Sequence, residues 1–136
     1  MRGKFWRQAA LAVALASAAV VTAGCAAAAA GVGAAGAVYA TTRGVGSLVA
    51  SPIDRVVANS ESVMKSMGIV QDASSSDNGG AKRELKGKHG DLDVTIDMEQ
   101  QDTATTKVEV YARKNLAEWD KDYARGVLDR ILKASK

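Results

Sequence analysis

The chain has 136 residues, with 18 Lys and Arg, 15 Asp and Glu, one His, one Cys and one Pro. This length suits one ordinary globular domain, and a single cysteine excludes both an internal disulfide and, with a single histidine, a thiolate–imidazole zinc site. The net charge of +3 comes from Arg2, Lys4 and Arg7 alone, because bases and acids balance from residue 25 onward, and this balance argues against a nucleic-acid-binding surface.

The N-terminus has the three parts of an export signal. Positively charged residues 1–7 precede an uncharged run of Ala, Leu and Val at 9–23, which ends in small residues. The run Val21-Thr22-Ala23-Gly24-Cys25 resembles the lipobox of bacterial lipoproteins, in which the cysteine receives a diacylglycerol and becomes the first mature residue. We therefore expect residues 1–24 to be a lipoprotein signal peptide and Cys25 to be the lipidation site that holds the protein to the membrane.

Two other fates of this segment stay open. Ordinary signal peptidase could cleave near residues 14–18 and release a soluble protein with a free thiol at Cys25. The uncharged stretch from Gln8 to Thr42 is also long enough to cross a bilayer as an uncleaved helix, although Ala and Gly are only marginally apolar. Ala26 stands where an aspartate would retain a lipoprotein in the inner membrane, so the resemblance implies the cell envelope, at the outer membrane in a Gram-negative organism.

Residues 25–40 are predicted to be an Ala- and Gly-rich tether. Residues 31–36 fit G-x-G-x-x-G, the spacing of dinucleotide-binding loops. Such loops follow a buried strand and need an acidic residue about 20 positions further on, whereas alanines precede this motif and the nearest acid, Asp54, belongs to a helix start. We therefore expect a linker without a cofactor, with Tyr39 as an interfacial ring.

Residues 41–136 are predicted to form one small domain, which begins with a helix over 52–67. Ser51 is its expected N-cap, Pro52 fits the first helical position and Asp54 fits the electropositive first turn. Apolar residues then recur at three-four spacing, and Gly68 is a helix stop.

Strand patterns follow this helix. Residues 91–99 and 105–112 alternate apolar and polar side chains, which is typical of strands with one buried face. Residues 74–80 are rich in turn formers and predict a loop. Weaker patterns predict further strands at 69–73, at 82–88 and, at the sheet edge, at 45–50.

Asp120 is the expected cap of a last helix that runs to Ala134 with apolar residues at the helical period. Because each helix has one apolar stripe and each good strand has one apolar face, we predict an α+β domain. It has a small antiparallel sheet of three to five strands, two helices packed on one face, and the other face exposed to water.

This pattern resembles a small family of bacterial lipoproteins that is classified only as a domain of unknown function. The shared features are Gly-x-x-Tyr after the Ala/Gly-rich segment, Gly-Ile after the first helix, Thr-x-Val-x-Val in the last strand and Ile-Leu in the last helix. In this chain they are Gly36 to Tyr39, Gly68-Ile69, Thr106 to Val110 and Ile131-Leu132. The resemblance covers about residues 20–135, departs from the family at 116–120, and implies no catalytic residues because none are established for the family.

Acidic residues alternate along the 91–99 strand. Same-face neighbours on a strand lie roughly 6.6–7 Å apart, which is too far for two carboxylates to share a calcium ion without loop ligands. We therefore expect cross-strand ion pairs with lysines and no metal site. The acids are Asp91, Asp93, Asp97 and Glu99, and the lysines are Lys82, Lys86, Lys88 and Lys107.

No catalytic signature is present in the sequence. His89, the one candidate for a general base, falls at a predicted turn, and the motifs of metalloproteases, serine hydrolases and P-loop enzymes are absent. Trp119 and Tyr123, at the start of the last helix, are expected to close the end of the core. We therefore predict no enzyme, no cofactor and no catalytic residues.

These observations predict a lipid-anchored, non-enzymatic envelope lipoprotein that acts as an interaction or assembly module with an envelope protein partner and without nucleic acid. The alternative is a ligand-binding or carrier lipoprotein that holds a small apolar or envelope molecule between sheet and helices. The carrier requires a cavity larger than Met64, Met67, Met98 and Val127 would fill. A third hypothesis is an enzyme that uses His89 with an acidic partner.

Overall fold

The computed structural model describes residues 37–136. The predicted signal peptide, the predicted lipidation site Cys25 and the predicted tether up to residue 36 lie outside the described residues. The described part contains six strands and two α-helices: β1 (Tyr39–Ala40), β2 (Gly44–Val49), α1 (Ile53–Ser66), β3 (Val70–Asp77), β4 (Lys82–His89), β5 (Leu92–Asp102), β6 (Thr105–Arg113) and α2 (Lys121–Ala134).

The strands form one sheet in the order β1-β2-β6-β5-β4-β3, and every neighbouring pair is antiparallel. The predicted α+β class is confirmed, but the predicted count of three to five strands is wrong. The additional strand is β1, whose two residues are the last two of the predicted tether and pair with Val45 and Gly46. The strand predicted at the edge near 45–50 is β2, which therefore lies second in the sheet.

The prediction of a loop over 74–80 is wrong for its first four residues. Residues Ser74 to Asp77 continue β3, because each pairs with a residue of β4, from Leu85 back to Lys82. Cross-strand hydrogen bonding here outweighs the turn preference of Ser and Asp. A 3-10 turn at Asn78–Gly80, in which all three residues have positive φ, then connects the two strands.

Both helices contact each other and one face of the sheet, as predicted. The inward side chains in the centre of β5 and along β6 are at most 2% exposed, and those of α2 contribute a second buried row. Burying each such aliphatic side chain stabilises the fold by about 1.5–3 kcal/mol. The buried residues that these three elements contribute are Val94, Ile96, Met98, Thr106, Val108, Val110, Ala112, Ala124, Val127, Leu128, Ile131 and Leu132.

The helix ends agree with the sequence at three of four positions. Asp120 caps α2 by accepting a hydrogen bond from the backbone N–H of Tyr123 at 2.9 Å, α2 ends at Ala134, and Gly68, with φ of 71°, follows α1. The predicted cap Ser51 is wrong, because Pro52 occupies the N-cap of α1. The carbonyl of Ser51 instead accepts a hydrogen bond from the Thr106 hydroxyl at 2.9 Å, which joins the start of α1 to β6.

Within residues 37–136, neither α1 nor α2 has the length and apolar character that spanning a bilayer requires.

Candidate functional site

The face of the sheet opposite the helices, called here the open face, carries the polar side chains of the central strands. Three carboxylates lie in one line across it, because Glu84 on β4 is directly opposite Asp97 on β5, and Asp97 is directly opposite Glu109 on β6. We call these three residues the carboxylate row. Like charges directly opposite each other on a sheet are destabilising, so the row has an energetic cost in the isolated domain.

The environment of the row differs from one member to the next. Burial, together with the charges of Glu84 and Glu109, raises the pKa of Asp97 from 3.8 to about 6, and Lys86 opposes this effect. Glu84 has an ion pair with Lys86 at 3.0 Å. Asp97, by contrast, forms no ion pair with any residue in the described range, since its nearest opposed neighbours are both acids.

Glu109 is held by two tyrosine hydroxyls. Tyr111 donates to its Oε2 at 2.9 Å and Tyr39 donates to its Oε1 at 3.2 Å. Burial and the neighbouring Glu109 charge raise the pKa of Tyr39 to about 12, and burial with the Glu109 hydrogen bond raises that of Tyr111 as well. Both phenols are therefore protonated donors at physiological pH, and they fix the position of the Glu109 carboxylate.

Two other lines across the open face contain opposite charges in alternation, one next to the row and one beyond the line of Lys86, Thr95 and Tyr111. Glu99 lies between Lys107 at 3.2 Å and Lys82 at 3.8 Å, and its pKa is lowered chiefly by the hydrogen bond and charge of Lys107. Asp93 lies between Lys88 at 3.4 Å and Arg113 at 3.5 Å. The predicted cross-strand pairing of Lys82, Lys88 and Lys107 is confirmed, whereas Lys86 pairs with Glu84 on its own strand. Exposed pairs of this kind contribute about 0–1 kcal/mol each.

Two glycines on β2 make room for the tyrosine rings. A Cβ at Gly46 would lie 2.5–2.8 Å from ring atoms of Tyr39, and a Cβ at Gly44 would lie 2.8 Å from a ring carbon of Tyr111 and would also meet the backbone of Val110. Glycine at both positions therefore lets the rings lie against β2 and reach Glu109.

Trp119 adds a third ring to the open face. A β-bridge pairs it with Arg113, and its ring meets that of Tyr111 edge-on, with centroids 6.2 Å apart. The guanidinium of Arg43 lies 5.8 Å from the Trp119 centroid, within cation–π range. The prediction that Trp119 closes the end of the core is wrong, because opposed residues of a bridge share a face and Arg113 faces outward. Tyr123 does pack against the core.

A structured loop over 114–118 carries the chain to Trp119. The Asn115 side chain accepts hydrogen bonds from the backbone N–H groups of Ala117 and Glu118 at 3.0 Å each, and the backbone N–H of Lys114 donates to the Glu118 carbonyl at 3.0 Å. Leu116, at the tip, is 92% exposed.

Two clefts lie side by side on the open face and share Glu84 and Asp97. The first, called here the aromatic cleft, has a volume of about 390 Å³ and is lined by Arg43, Glu84, Lys86, Asp93, Thr95, Asp97, Tyr111, Arg113 and Trp119. The second, the charged cleft, has a volume of about 250 Å³ and is lined by Ser75, Asp77, Lys82, Arg83, Glu84, Asp97, Met98, Glu99, Lys107 and Glu109.

His89 does not lie near the carboxylate row. Its ring stacks on Tyr123, with centroids 5.4 Å apart and an interplanar angle of 24°, and its Nδ1 lies 3.3 Å from the carbonyl of Gly68. Asp91, expected to be part of the acidic strand, lies in the turn before β5. In the part of the chain that the structure describes, no group of three or more His, Cys, Asp or Glu side chains is arranged to hold a metal ion.

The fold and the site together define an α+β domain whose antiparallel sheet is covered by two helices on one face and carries a polar, partly aromatic surface on the other. A family model described as a protein of unknown function (DUF3568) matches residues 8–114. The chain therefore belongs to this family, and the match includes α1 and all six described strands. A comparison with curated proteins gives no match.

Proposed function

We propose that the protein is a lipid-anchored, non-enzymatic module of the cell envelope, at the outer membrane in a Gram-negative organism, that binds an envelope protein through the open face of its sheet. In this proposal residues 1–24 are removed, the acylated Cys25 inserts in the membrane, and residues up to 36 connect the anchor to the domain. The lipobox-like sequence and the uncharged N-terminal run support the anchor.

The carboxylate row is the observation that carries the proposed binding surface. Three directly opposed acids are unfavourable in the isolated domain, and Asp97, between the other two, has an acid opposite it on each neighbouring strand. A partner that presents lysine or arginine side chains would relieve this repulsion, and electrostatic complementarity of this kind orients partners and accelerates encounter. The partner proposed for this face is therefore a protein with a basic surface.

The alternative, a carrier that holds an apolar molecule between sheet and helices, has less support. Met64, Met98 and Val127 lie in that space and are 0–2% exposed, and the two clefts described above open on the other face. An interior filled in this way would have to expand to admit a ligand, and close-packed cores resist such expansion.

Cell fractionation tests the anchor. We expect the wild-type protein to sediment with membranes and the Cys25→Ser variant to be recovered in the soluble fraction. A wild-type protein that is soluble, or a Cys25→Ser variant that still sediments with membranes, would contradict the proposed lipid anchor.

Photo-cross-linking in intact envelopes tests the binding surface. Photoreactive residues at Lys82 and Lys107, on either side of the charged cleft, should give one discrete protein adduct, and the same group at Glu61, on the exposed side of α1, should not. Reversing the central charge with Asp97→Lys should abolish the adduct, whereas Asp129→Lys on the exposed side of α2 should leave it unchanged. Equal adducts from both faces, or an adduct that survives Asp97→Lys, would refute the proposed surface.

A further inference from the structure

We infer that the aromatic cleft binds a segment of an uncharged glycan chain. This goes beyond the proposed function, because the ligand belongs to another chemical class and is recognised at the end of the open face where Trp119 lies. The chemistry of the proposed ligand follows from the cleft alone. That the source is the polymeric glycan of the cell wall rests, in addition, on the proposed envelope location.

The balance of charge in the cleft argues against an ionic ligand. Three bases and three acids line it, and two of the acids are already paired, Asp93 with Arg113 at 3.5 Å and Glu84 with Lys86 at 3.0 Å. A charged ligand would have to compete with these pairs, whereas a neutral polyhydroxylated ligand can donate to the carboxylates and accept from the guanidinium and ammonium groups without separating them.

The aromatic wall supplies the second half of glycan recognition. Trp119 and Tyr111 line one side of the cleft, and the faces of such rings carry negative quadrupole charge. The C–H bonds on one face of a pyranose ring form an apolar patch of slight positive charge, which complements an aromatic face. Few ligand classes combine an apolar face with a dense edge of hydroxyl groups, and this cleft combines an aromatic wall with closely spaced donors and acceptors.

The floor and the shape of the cleft favour a chain over a single sugar. Thr95, whose hydroxyl both donates and accepts, lies directly opposite Lys86 on one side and Tyr111 on the other. The aromatic cleft continues into the charged cleft through Glu84 and Asp97. Because the cleft is open along the sheet and does not enclose its contents, an extended polymer can cross it without its ends being buried.

The loop over 114–118 holds the wall in place without a ligand. Its hydrogen bonds to Asn115 and the bridge between Arg113 and Trp119 fix the ring beside Tyr111. A pre-positioned ring reduces the ordering cost of binding. Residues 114–118 thus hold the Trp119 ring in the position that the proposed glycan contact requires.

Tryptophan fluorescence of the full-length protein tests the ligand chemistry. The chain has two tryptophans, Trp6 and Trp119, and a Trp6→Phe background makes Trp119 the sole reporter even in protein that retains residues 1–24. We expect oligomers of N-acetylglucosamine to change its fluorescence saturably. Thr95→Leu, which fills the cleft floor at a surface position, should weaken binding at least about tenfold, equivalent to about 1.4 kcal/mol. Thr103→Leu, in the hairpin at the other end of β5, is the matched control and should leave affinity unchanged.

Three results would overturn the inference. If these oligomers show no saturable binding, the proposed ligand class is wrong. If Thr95→Leu and Thr103→Leu reduce binding equally, the proposed site is wrong. If a lysine-rich peptide binds and the oligomers do not, and Thr95→Leu weakens that binding, the ligand of the cleft is a protein and not a glycan. Circular dichroism of each variant establishes that it is folded.

Co-sedimentation with purified cell-wall glycan tests the source. The wild-type protein should sediment with the insoluble polymer, soluble oligomers should compete, and the Thr95→Leu variant should remain in the supernatant. Binding of oligomers without sedimentation would refute the cell wall as the source. Neither assay depends on Cys25 or on the Asp97→Lys cross-linking result, so failure of the glycan inference and failure of the proposed function are separate outcomes.

Discussion

Replacing Asp97 with asparagine tests the energetic cost that we assign to the carboxylate row. The substitution keeps the shape of the side chain, removes its charge and gives it an amide that can donate to Glu84. The folded protein raises the pKa of Asp97 from 3.8 to about 6. At about 1.4 kcal/mol per pKa unit, this shift corresponds to a destabilisation of the folded state by ionised Asp97 of about 3 kcal/mol before screening by water. Because Asp97 is only partly buried and water screens its charge, we expect Asp97→Asn to stabilise the protein by about 1.5 kcal/mol at pH 7.5.

The destabilisation caused by Asp97 depends on pH. The folded state binds the Asp97 proton more tightly than the unfolded chain does, so the destabilising contribution is fully present above about pH 6, decreases as the pH falls toward 3.8, and is lost below that value. Glu84, Lys86 and Glu109 are the charged groups that face Asp97.

Urea unfolding at pH 7.5 and at pH 4 measures the difference between variant and wild type. We expect the stabilisation at pH 7.5 to become small at pH 4, and the control Asp129→Asn, an equal change of charge at an exposed position of α2, to have little effect at pH 7.5. A gain of equal size at both pH values, or a loss of stability at pH 7.5, would refute the reasoning.

Four further substitutions test the packing and the cap of α2, each by urea or thermal unfolding. Gly44→Ala should cost about 1–3 kcal/mol because its Cβ meets the backbone of β6, whereas Gly46→Ala should cost less because the Tyr39 ring can move aside; equal costs would contradict this difference. Asp120→Ala removes the cap of α2 and should cost about 1 kcal/mol, so an unchanged midpoint would mean that the cap contributes nothing. Leu128→Ala, at a fully buried position, should cost about 2–5 kcal/mol, and a loss below about 1 kcal/mol would contradict a close-packed interior.

The sequence predicted those features that local patterns control. Strict alternation placed the buried faces of β5 and β6 correctly, since the side-chain period of a strand is two, and three-four spacing did the same for both helices. Capping chemistry identified Asp120. These signals lie within a few residues of one another, so no knowledge of the tertiary structure is needed to detect them.

The features that the sequence did not predict depend on pairing between distant segments. The two residues of β1 have no periodicity of their own and become a strand through their partners on β2. Glu84, Asp97 and Glu109 meet because of a register across three strands. Alternation in β5 and β6 predicted that Asp97 and Glu109 lie on the polar face of the sheet, but it did not indicate which carboxylates are opposed.

The same limit applies to the aromatic cleft. Helical proximity suggested that Trp119 belongs with the last helix, whereas its backbone pairing with Arg113 determines the face on which the ring lies. The role of Gly44 and Gly46 was also hidden, because a glycine in a strand has no pattern that reveals which ring it accommodates.

Hydroxyl-radical footprinting in intact envelopes tests the central claim, that the open face is the binding surface, most directly. The rate of oxidation at Tyr111 and Trp119 on the open face is compared with that at Met67, a half-buried residue at the end of α1. We predict that the two rings are oxidised several times more slowly in the envelope than in the purified protein, while Met67 is unchanged. Equal rates for the rings in both samples, or protection of Met67 in their place, would contradict the account.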